Sequence, residues 1–224
     1  MEKLKFIGYG GATNVKLGGN CSYIIDNDNL FIIDACEEAT NKLLKNKVFR
    51  NIKNVYIAIT HTHYDHVGGL GVLIWYLAYE LKIIPKIIYN DETYKKTLSE
   101  LFSITGVKEK TYNFIHEKDL KLSFKVNMLP TTHTDDLQCF GIMFTDKLGK
   151  YYYTGDTNDI EFIKKLSSDD SVKTIYCEIS EDSPKKHIVL NDLLNLNKKK
   201  FILMHFTSNK VYKMAKRKGF KTAK

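Results

Sequence analysis

Three histidines and one aspartate fall within six positions of the segment Thr60-His61-Thr62-His63-Tyr64-Asp65-His66-Val67-Gly68-Gly69. The segment follows the apolar run at residues 55–59, which predicts a buried strand. It precedes the apolar stretch at residues 67–81, which predicts a buried helix. The motif therefore lies where a strand gives way to a helix, a position at which loops commonly carry functional side chains.

The spacing of the four polar residues suits the binding of metal ions. Residues two apart on an extended segment point the same way, so His61 and His63 can bind one ion. Asp65 and His66 begin the following helix and can face a second ion. Imidazole and carboxylate ligands together suit Zn²⁺ and related divalent ions.

Further candidate ligands come from later strand ends. His133 follows a predicted strand at residues 124–129, Asp156 follows one at 151–154, and His205 follows one at 201–204. Because loops at strand ends converge on a common site, we expect these three side chains to join the first motif.

The order of the predicted elements favours a layered α/β fold in one domain that spans residues 1–224. Strands are predicted at residues 4–7, 22–25, 30–33, 55–59, 86–89, 124–129, 140–145, 151–154, 173–177 and 201–204. Helices are predicted at residues 37–47, 67–81, 92–104, 159–166, 188–196 and 210–218. Two sheets packed face to face, with helices outside, fit this order.

Composition and charge narrow the class of protein. The chain has 224 residues, of which 43% are hydrophobic and 27% are charged, as in ordinary globular proteins. The net charge of +8 is concentrated at residues 198–224, which hold ten basic and no acidic residues. This basic segment is either a solvated helix with a frayed end or a surface that attracts an anionic substrate or nucleic acid.

Nothing in the sequence predicts secretion or membrane insertion. The first residues show no signal-peptide pattern, and the apolar stretch at residues 70–81 is too short to span a bilayer. The four cysteines form no CxxC pair and are expected to be buried thiols in a reducing compartment. We therefore expect a cytoplasmic protein without membrane partners.

The pattern HxHxDH, followed by a single His, Asp and His, resembles the metallo-β-lactamase fold superfamily of hydrolases. The resemblance covers nearly the whole chain and implies a four-layer αββα sandwich with a two-metal site at one edge. It implies one ion on His61, His63 and His133, a second on Asp65, His66 and His205, and Asp156 as a bridge. We expect Zn²⁺ at both positions, with Mn²⁺ as the alternative.

Three features resemble the tRNA 3′-processing (RNase Z) branch of the superfamily. The first is the opening of the chain, in which residues 6–11 lead into a long glycine-containing loop and then into residues 20–23 and 30–37. The others are the ending at residues 204–208 and an ordered Glu178 and His187 between Asp156 and His205. In that branch, the corresponding Glu and His act together as a proton donor. The resemblance therefore implies that His187, oriented by Glu178, protonates the leaving oxygen.

Two departures from that branch argue for a smaller substrate. Only 22 residues separate His133 from Asp156, and predicted strands occupy most of them, so no tRNA-clamping arm fits. Residues 16–20 also stand in place of the proline-containing lysine-arginine loop of RNase Z. The length of the chain and the lack of an arm are similar to the phage anti-Pycsar nucleases, which hydrolyse cyclic nucleotides.

The sequence thus predicts a phosphodiesterase that uses a two-metal-activated hydroxide on a small phosphodiester such as a cyclic nucleotide. Asp65 is both a predicted ligand and a candidate acceptor of the water proton. One alternative is an RNase Z-type endoribonuclease with RNA as its substrate. The other is an amide or thioester hydrolase of the lactamase kind, against which the Glu178 and His187 pair speaks.

The resemblance also implies a homodimer in which a loop of one subunit closes the site of the other. Residues 105–121 show the weakest secondary-structure pattern and are the candidate for that loop.

Overall fold

The computed structural model describes residues 3–224, which form two six-stranded β-sheets packed face to face. The first sheet holds, side by side, β1 (Lys5–Gly8), β2 (Cys21–Asp26), β3 (Asn29–Ile33), β4 (Asn54–Ala58), β5 (Lys86–Tyr89) and β6 (Asn113–His116). The second holds, likewise, β7 (Lys125–Thr131), β8 (Cys139–Asp146), β9 (Gly149–Tyr153), β10 (Val172–Ile179), β11 (Phe201–Phe206) and β12 (Lys221–Thr222).

The two sheets have the same strand directions although the sequence shows no repeat. In each sheet the first two pairings, β1–β2–β3 and β7–β8–β9, are antiparallel, and the three that follow are parallel. Parallel strands bring their carboxyl ends to one edge, where α/β proteins place their binding sites. Each half of the chain therefore contributes one such edge.

Helices connect the strands and pack on the sheets. They are α1 (Glu37–Leu44), α2 (Tyr64–Val67), α3 (Leu70–Trp75, continued by a π-helical turn at Tyr76–Glu80), α4 (Glu92–Ile104), α5 (Ile160–Ser168) and α6 (Asn209–Arg217). Short 3₁₀ turns occur at Val15–Leu17, Lys47–Phe49, Glu109–Thr111, Glu117–Asp119, Leu190–Leu193 and Lys198–Lys200. Buried residues of α1, α3 and α4 join the core of the first sheet, and those of α5 and α6 join a core on the second.

Aromatic side chains fill the space between the two sheets. The ring of Phe31 on β3 lies 5.5 Å from that of Phe144 on β8, and Phe6 on β1 lies 6.0 Å from Tyr176 on β10. Residues 30–33 and 55–58 are buried throughout, as expected for parallel strands covered on both faces. The prediction of an αββα sandwich of the metallo-β-lactamase type is confirmed.

Two segments of the second half differ from the sequence prediction. The helix expected at residues 188–196 is only the turn Leu190–Leu193, because one turn suffices to bury both leucines and the surrounding Asn and Asp residues favour turns. The basic segment 198–224 has no frayed end, since β12 pairs with β11 and Ala223 is buried.

Residues 105–121, the candidate partner-directed loop, are only partly irregular. They contain β6, which pairs in parallel with β5 and forms an edge of the first sheet. An edge strand needs few apolar residues, and β6 has only two between Asn113 and His116. The apolar pattern of the sequence was therefore too weak to predict this strand.

Among the described residues, no helix has the length and apolar character needed to cross a bilayer. All four cysteines are buried and carry free thiols.

Candidate metal centre

The seven residues predicted as metal ligands lie together where strands of both sheets end. His61, His63, Asp65 and His66 follow β4 of the first sheet, and His133, Asp156 and His205 come from β7, β9 and β11 of the second. The ligand-type atoms fall into overlapping groups in which all atoms lie within 4.8 Å of one another.

The first group consists of His61, His63 and His133. His61 Nε2 lies 2.9 Å from His63 Nδ1, and the rings of His61 and His133 are 5.2 Å apart between centroids. His133 Nδ1 lies 2.7 Å from the carbonyl oxygen of Lys186, which can only accept. The Nδ1 of His133 therefore carries the proton, and its Nε2 lone pair is free for a cation.

The second group consists of Asp65, His66 and His205. Asp65 Oδ2 lies 3.3 Å from His205 Nε2 and 3.5 Å from His66 Nε2. Asp65 and His66 belong to α2, directly after the segment that carries His61 and His63. One turn of helix thus brings a carboxylate and an imidazole opposite the end of β11.

Asp156 lies between the two groups. Its Oδ1 is 3.3 Å from His205 Nδ1 and 3.5 Å from His66 Nε2, while its Oδ2 is 3.8 Å from His133 Nε2. Gly155, with φ 59°, precedes it, and a Cβ there would come within 2.6 Å of the Phe140 carbonyl oxygen. A glycine therefore allows the chain to turn Asp156 toward both groups.

Within residues 3–224, three buried atoms of the centre form no hydrogen bond: His66 Nε2, Asp156 Oδ1 and His205 Nδ1. An unsatisfied buried polar atom costs about 1–3 kcal/mol, so three within one cluster indicate a missing partner. A divalent cation would satisfy all three, and the mixed nitrogen and oxygen donors suit Zn²⁺ or Mn²⁺. The residues present therefore fit a metal site.

Charge interactions hold the ligands in different protonation states. Burial, reinforced by His66, lowers the pKa of His61 to about 2, so His61 is neutral. Burial opposes ionisation of Asp156, but His205 and His66 outweigh it and hold the pKa of Asp156 well below its usual range. Burial also opposes protonation of His205, yet Asp156 and Asp65 raise its pKa to about 10. Binding of a cation at His205 must therefore release a proton.

Asp34 was not among the predicted functional residues, and the structure places it against the centre. Its Oδ1 accepts a hydrogen bond from the Thr60 N–H at 2.8 Å, and its Oδ2 lies 2.9 Å from His66 Nδ1. Asp34 is fully buried, with φ 59°. By holding the proton on His66 Nδ1, it leaves Nε2 to face the centre. The available signal was an acidic residue at the end of the apolar run 30–33.

Glu178 and His187 form a hydrogen-bonded pair beside the centre. His187 Nδ1 lies 2.7 Å from Glu178 Oε2 and 3.9 Å from Asp156 Oδ2. Glu178 is fully buried in β10, and its Oε1 accepts a hydrogen bond from the Thr157 N–H. Burial disfavours protonated His187, but the hydrogen bond and charge of Glu178 outweigh it and raise the His187 pKa.

The loop that carries His187 is fixed to the ligand loops by Asn158. The Asn158 side-chain amide donates to the Lys185 carbonyl at 2.5 Å, and its oxygen accepts from the Thr132 hydroxyl at 2.5 Å. Sequence reasoning missed this residue, because a single asparagine after Asp156 gives no signal of its own.

The segment between His133 and Asp156 has no room for an RNA-binding arm. Residues 134–155 form a short loop, the strands β8 and β9, and the tight turn between them. The absence of an arm at this position agrees with the sequence prediction.

Comparison with known proteins gives the family. The family described as Anti-Pycsar protein Apyc1 matches residues 2–223. The chain belongs to this family. An Anti-Pycsar protein Apyc1 from Paenibacillus harenae is 25% identical over 221 residues, which cover 91% of this chain and 89% of that protein.

Solved structures share the fold of this Apyc1-family chain. The metallo-β-lactamase fold protein YhfI from Bacillus subtilis matches with a TM-score of 0.73 and 17% identity, over 98% of this chain and 94% of that one. A diphosphatase of the PhnP family matches with a TM-score of 0.69 and 16% identity, over the same shares. As a member of the Apyc1 family with this fold, the protein is a metal-dependent hydrolase of the phosphodiesterase class.

Replacing Asp34 with Asn tests whether Asp34 orients a ligand of this Apyc1-family protein. We expect D34N to bind Zn²⁺ roughly 10- to 100-fold more weakly, because the group that holds the His66 tautomer loses its charge. Competition with a chromophoric chelator measures the affinity. Asparagine tolerates positive φ, so the backbone is not perturbed by the change.

The matched control is D28N, which alters an aspartate paired with Lys53 at a hairpin outside the centre. If D34N bound Zn²⁺ as tightly as the wild-type protein, Asp34 would contribute to the fold but not to metal binding.

Proposed function

We propose that this phosphodiesterase hydrolyses a small cyclic phosphodiester, a nucleoside cyclic phosphate. The observation that carries the proposal is the His187–Glu178 pair at 2.7 Å beside Asp156. Opening a cyclic nucleotide expels a ribose alkoxide, a poor leaving group that needs a proton, and this pair can supply one. Membership of the Anti-Pycsar family supports the same class of substrate.

The proposed ligand sets are those of the sequence prediction, with Zn²⁺ as the metal and Mn²⁺ as the alternative. His61, His63 and His133 would hold one ion, Asp65, His66 and His205 a second, and Asp156 would contact both. Bound divalent ions would lower the pKa of the attacking water and polarise the phosphoryl oxygens.

Residues of the chain then donate and accept the protons of the reaction. Glu178 accepts a hydrogen bond from the Nδ1–H of His187, which directs Nε2 toward the leaving oxygen. As water attacks phosphorus and the bond to the ribose oxygen breaks, His187 Nε2 gives its proton to that oxygen. Asp65, which is partly exposed, is the proposed acceptor of the proton that the attacking water loses. Glu178 contacts His187 directly, and Asn158 holds the loop that carries His187 through the Lys185 carbonyl.

A small substrate suits this centre better than a folded RNA. Residues 134–155 provide no arm, and the basic segment 198–224 is folded into the second sheet. Lys210 of that segment is paired with Glu181, which reduces the free positive charge of the segment.

We further propose that the protein works in the cytoplasm. Its four buried cysteines keep free thiols, which is typical of a reducing compartment.

We also propose a homodimer joined through an apolar surface on α3, the turn after it and α4. This surface comprises Val72, Trp75, Tyr79 and Ile104, which are exposed although apolar. Val72, Trp75 and Tyr79 recur at helical spacing and form one face, and Ile104 is 87% exposed. Exposed apolar patches of this kind mark protein interfaces, and α3 follows directly on the ligand-bearing α2.

A substrate panel tests the proposed activity. The metal-loaded protein should hydrolyse cyclic mononucleotides, and D156A should lose this activity by at least about 100-fold, because the Asp156 carboxylate lies within 4 Å of His133 in the first ligand group and of His66 in the second. The panel includes a precursor tRNA and a β-lactam. Salt-sensitive tRNA cleavage without turnover of cyclic nucleotides would instead identify an endoribonuclease.

Dependence on the leaving group tests the role of His187. H187Q should slow hydrolysis of a cyclic nucleotide by roughly 100-fold or more, because the alkoxide loses its proton donor. Hydrolysis of methyl p-nitrophenyl phosphate should fall much less, since p-nitrophenolate leaves without a proton. The control is H116Q, which alters a histidine of β6 that lies outside the centre. Equal losses on both substrates would contradict a role as proton donor.

Sedimentation of the purified protein tests the proposed dimer. I104E should weaken self-association by at least about ten-fold, because it brings a charge into an apolar interface. L148E, at an exposed leucine in the β8–β9 turn, is the control and should sediment as the wild type does. A monomeric wild-type protein would refute the dimer.

A further inference from the structure

A cavity adjoins the metal centre and has no part in the mechanism described above. It has a volume of about 320 Å³, within the usual range for ligand sites, and Asp65 lines it. The other walls come from the glycine-containing loop at residues 8–20, the first turns of α1, and Tyr64. A group attached to a phosphate at the centre would therefore have continuous space beyond Asp65.

Tyr64 presents an aromatic ring in this cavity and is held in position. The Tyr64 side chain is 71% exposed, although it lies between the ligand residues His63 and Asp65. Its hydroxyl donates to Glu37 Oε2 at 3.0 Å. A Cβ on Gly68 would come within 2.9 Å of Tyr64 Cζ, so the ring rests against the Gly68 backbone. The hydroxyl is therefore held by a hydrogen bond and one part of the ring contacts the Gly68 backbone, while most of the side chain remains exposed to solvent.

The remaining lining combines apolar and acceptor groups. Val15, on the glycine-containing loop, is 73% exposed and faces the same cavity. Glu38 is paired with Lys42 at 2.7 Å, whereas Glu37 has no ion-pair partner within residues 3–224. A carboxylate only accepts hydrogen bonds, so Glu37 suits a ligand edge that offers N–H groups.

We propose that this cavity seats the nucleobase of the substrate, with Tyr64 as the stacking surface. Glu37 then selects bases that carry an amino group, such as cytosine or adenine, over uracil, whose exposed edge offers mainly carbonyl oxygens. The inference rests on the proposed function, because only a nucleoside phosphate brings a base to the centre. It adds the location of the base and the basis of its selection.

The test compares kcat/KM for cytidine 3′,5′-cyclic phosphate, uridine 3′,5′-cyclic phosphate and methyl p-nitrophenyl phosphate, which lacks a base. In Y64L the ratio of the cytidine value to the methyl p-nitrophenyl value should fall roughly ten-fold, mainly through KM, because the stacking surface is lost. Y64F keeps the ring and should lose at most about three-fold. In E37Q the ratio of kcat/KM for the cytidine substrate to that for the uridine substrate should fall roughly five-fold, because an amide can both donate and accept hydrogen bonds.

The control is L148A, which removes an exposed apolar side chain from the β8–β9 turn and should keep the wild-type ratios. If L148A changed the ratios as Y64L does, the effect would not be specific to the cavity, and the base site would be refuted. Wild-type ratios in Y64L, with cyclic nucleotides still hydrolysed, would refute the base site and leave the proposed function standing. A wild-type protein that cleaves only methyl p-nitrophenyl phosphate would refute both.

Discussion

Asp34 ties together the segments from which the centre is built. Its carboxylate accepts a hydrogen bond from the Thr60 N–H and lies against His66 Nδ1. Asp34 therefore joins the end of β3 to the segment after β4 and to α2. A non-glycine residue at φ 59° is strained by roughly 1–3 kcal/mol and persists only where its surroundings fix it. Because Thr60 immediately precedes His61, the direction in which the first histidines point depends on these bonds.

The second sheet likewise brings polar side chains from separate strands together. His205 also has positive φ, at 46°, and it lies within β11 rather than after it. Asp156 and Glu178 approach it from β9 and β10, so three neighbouring parallel strands each offer one polar side chain. Burying polar groups of this kind costs free energy unless they are paired, and this cost is concentrated where the ends of the two sheets meet. A bound cation would remove that cost at the three atoms that form no hydrogen bond within residues 3–224.

Sequence reasoning recovered what is local in the chain and missed what depends on contacts between distant segments. The HxHxDH motif and the residues at the ends of β7, β9 and β11 could be located because apolar runs mark the strand ends. The structure brings all of them together, while their roles as ligands stay predictions. The bonds of Asp34 and Asn158 join residues from separate strands and loops, and no spacing reveals them. The edge strand β6 was missed because an edge needs little apolar sequence.

The origin of the site residues in two matching sheets has a consequence for synthesis of the protein. The strands through β6 contain the HxHxDH segment, yet His133, Asp156, Glu178, His187 and His205 are all translated later. A nascent chain that ends before residue 133 therefore carries three histidines and an aspartate without their partners. Because the core between the sheets contains residues of both and His205 lies within β11, the full set of site residues is assembled only once β11 has joined β10.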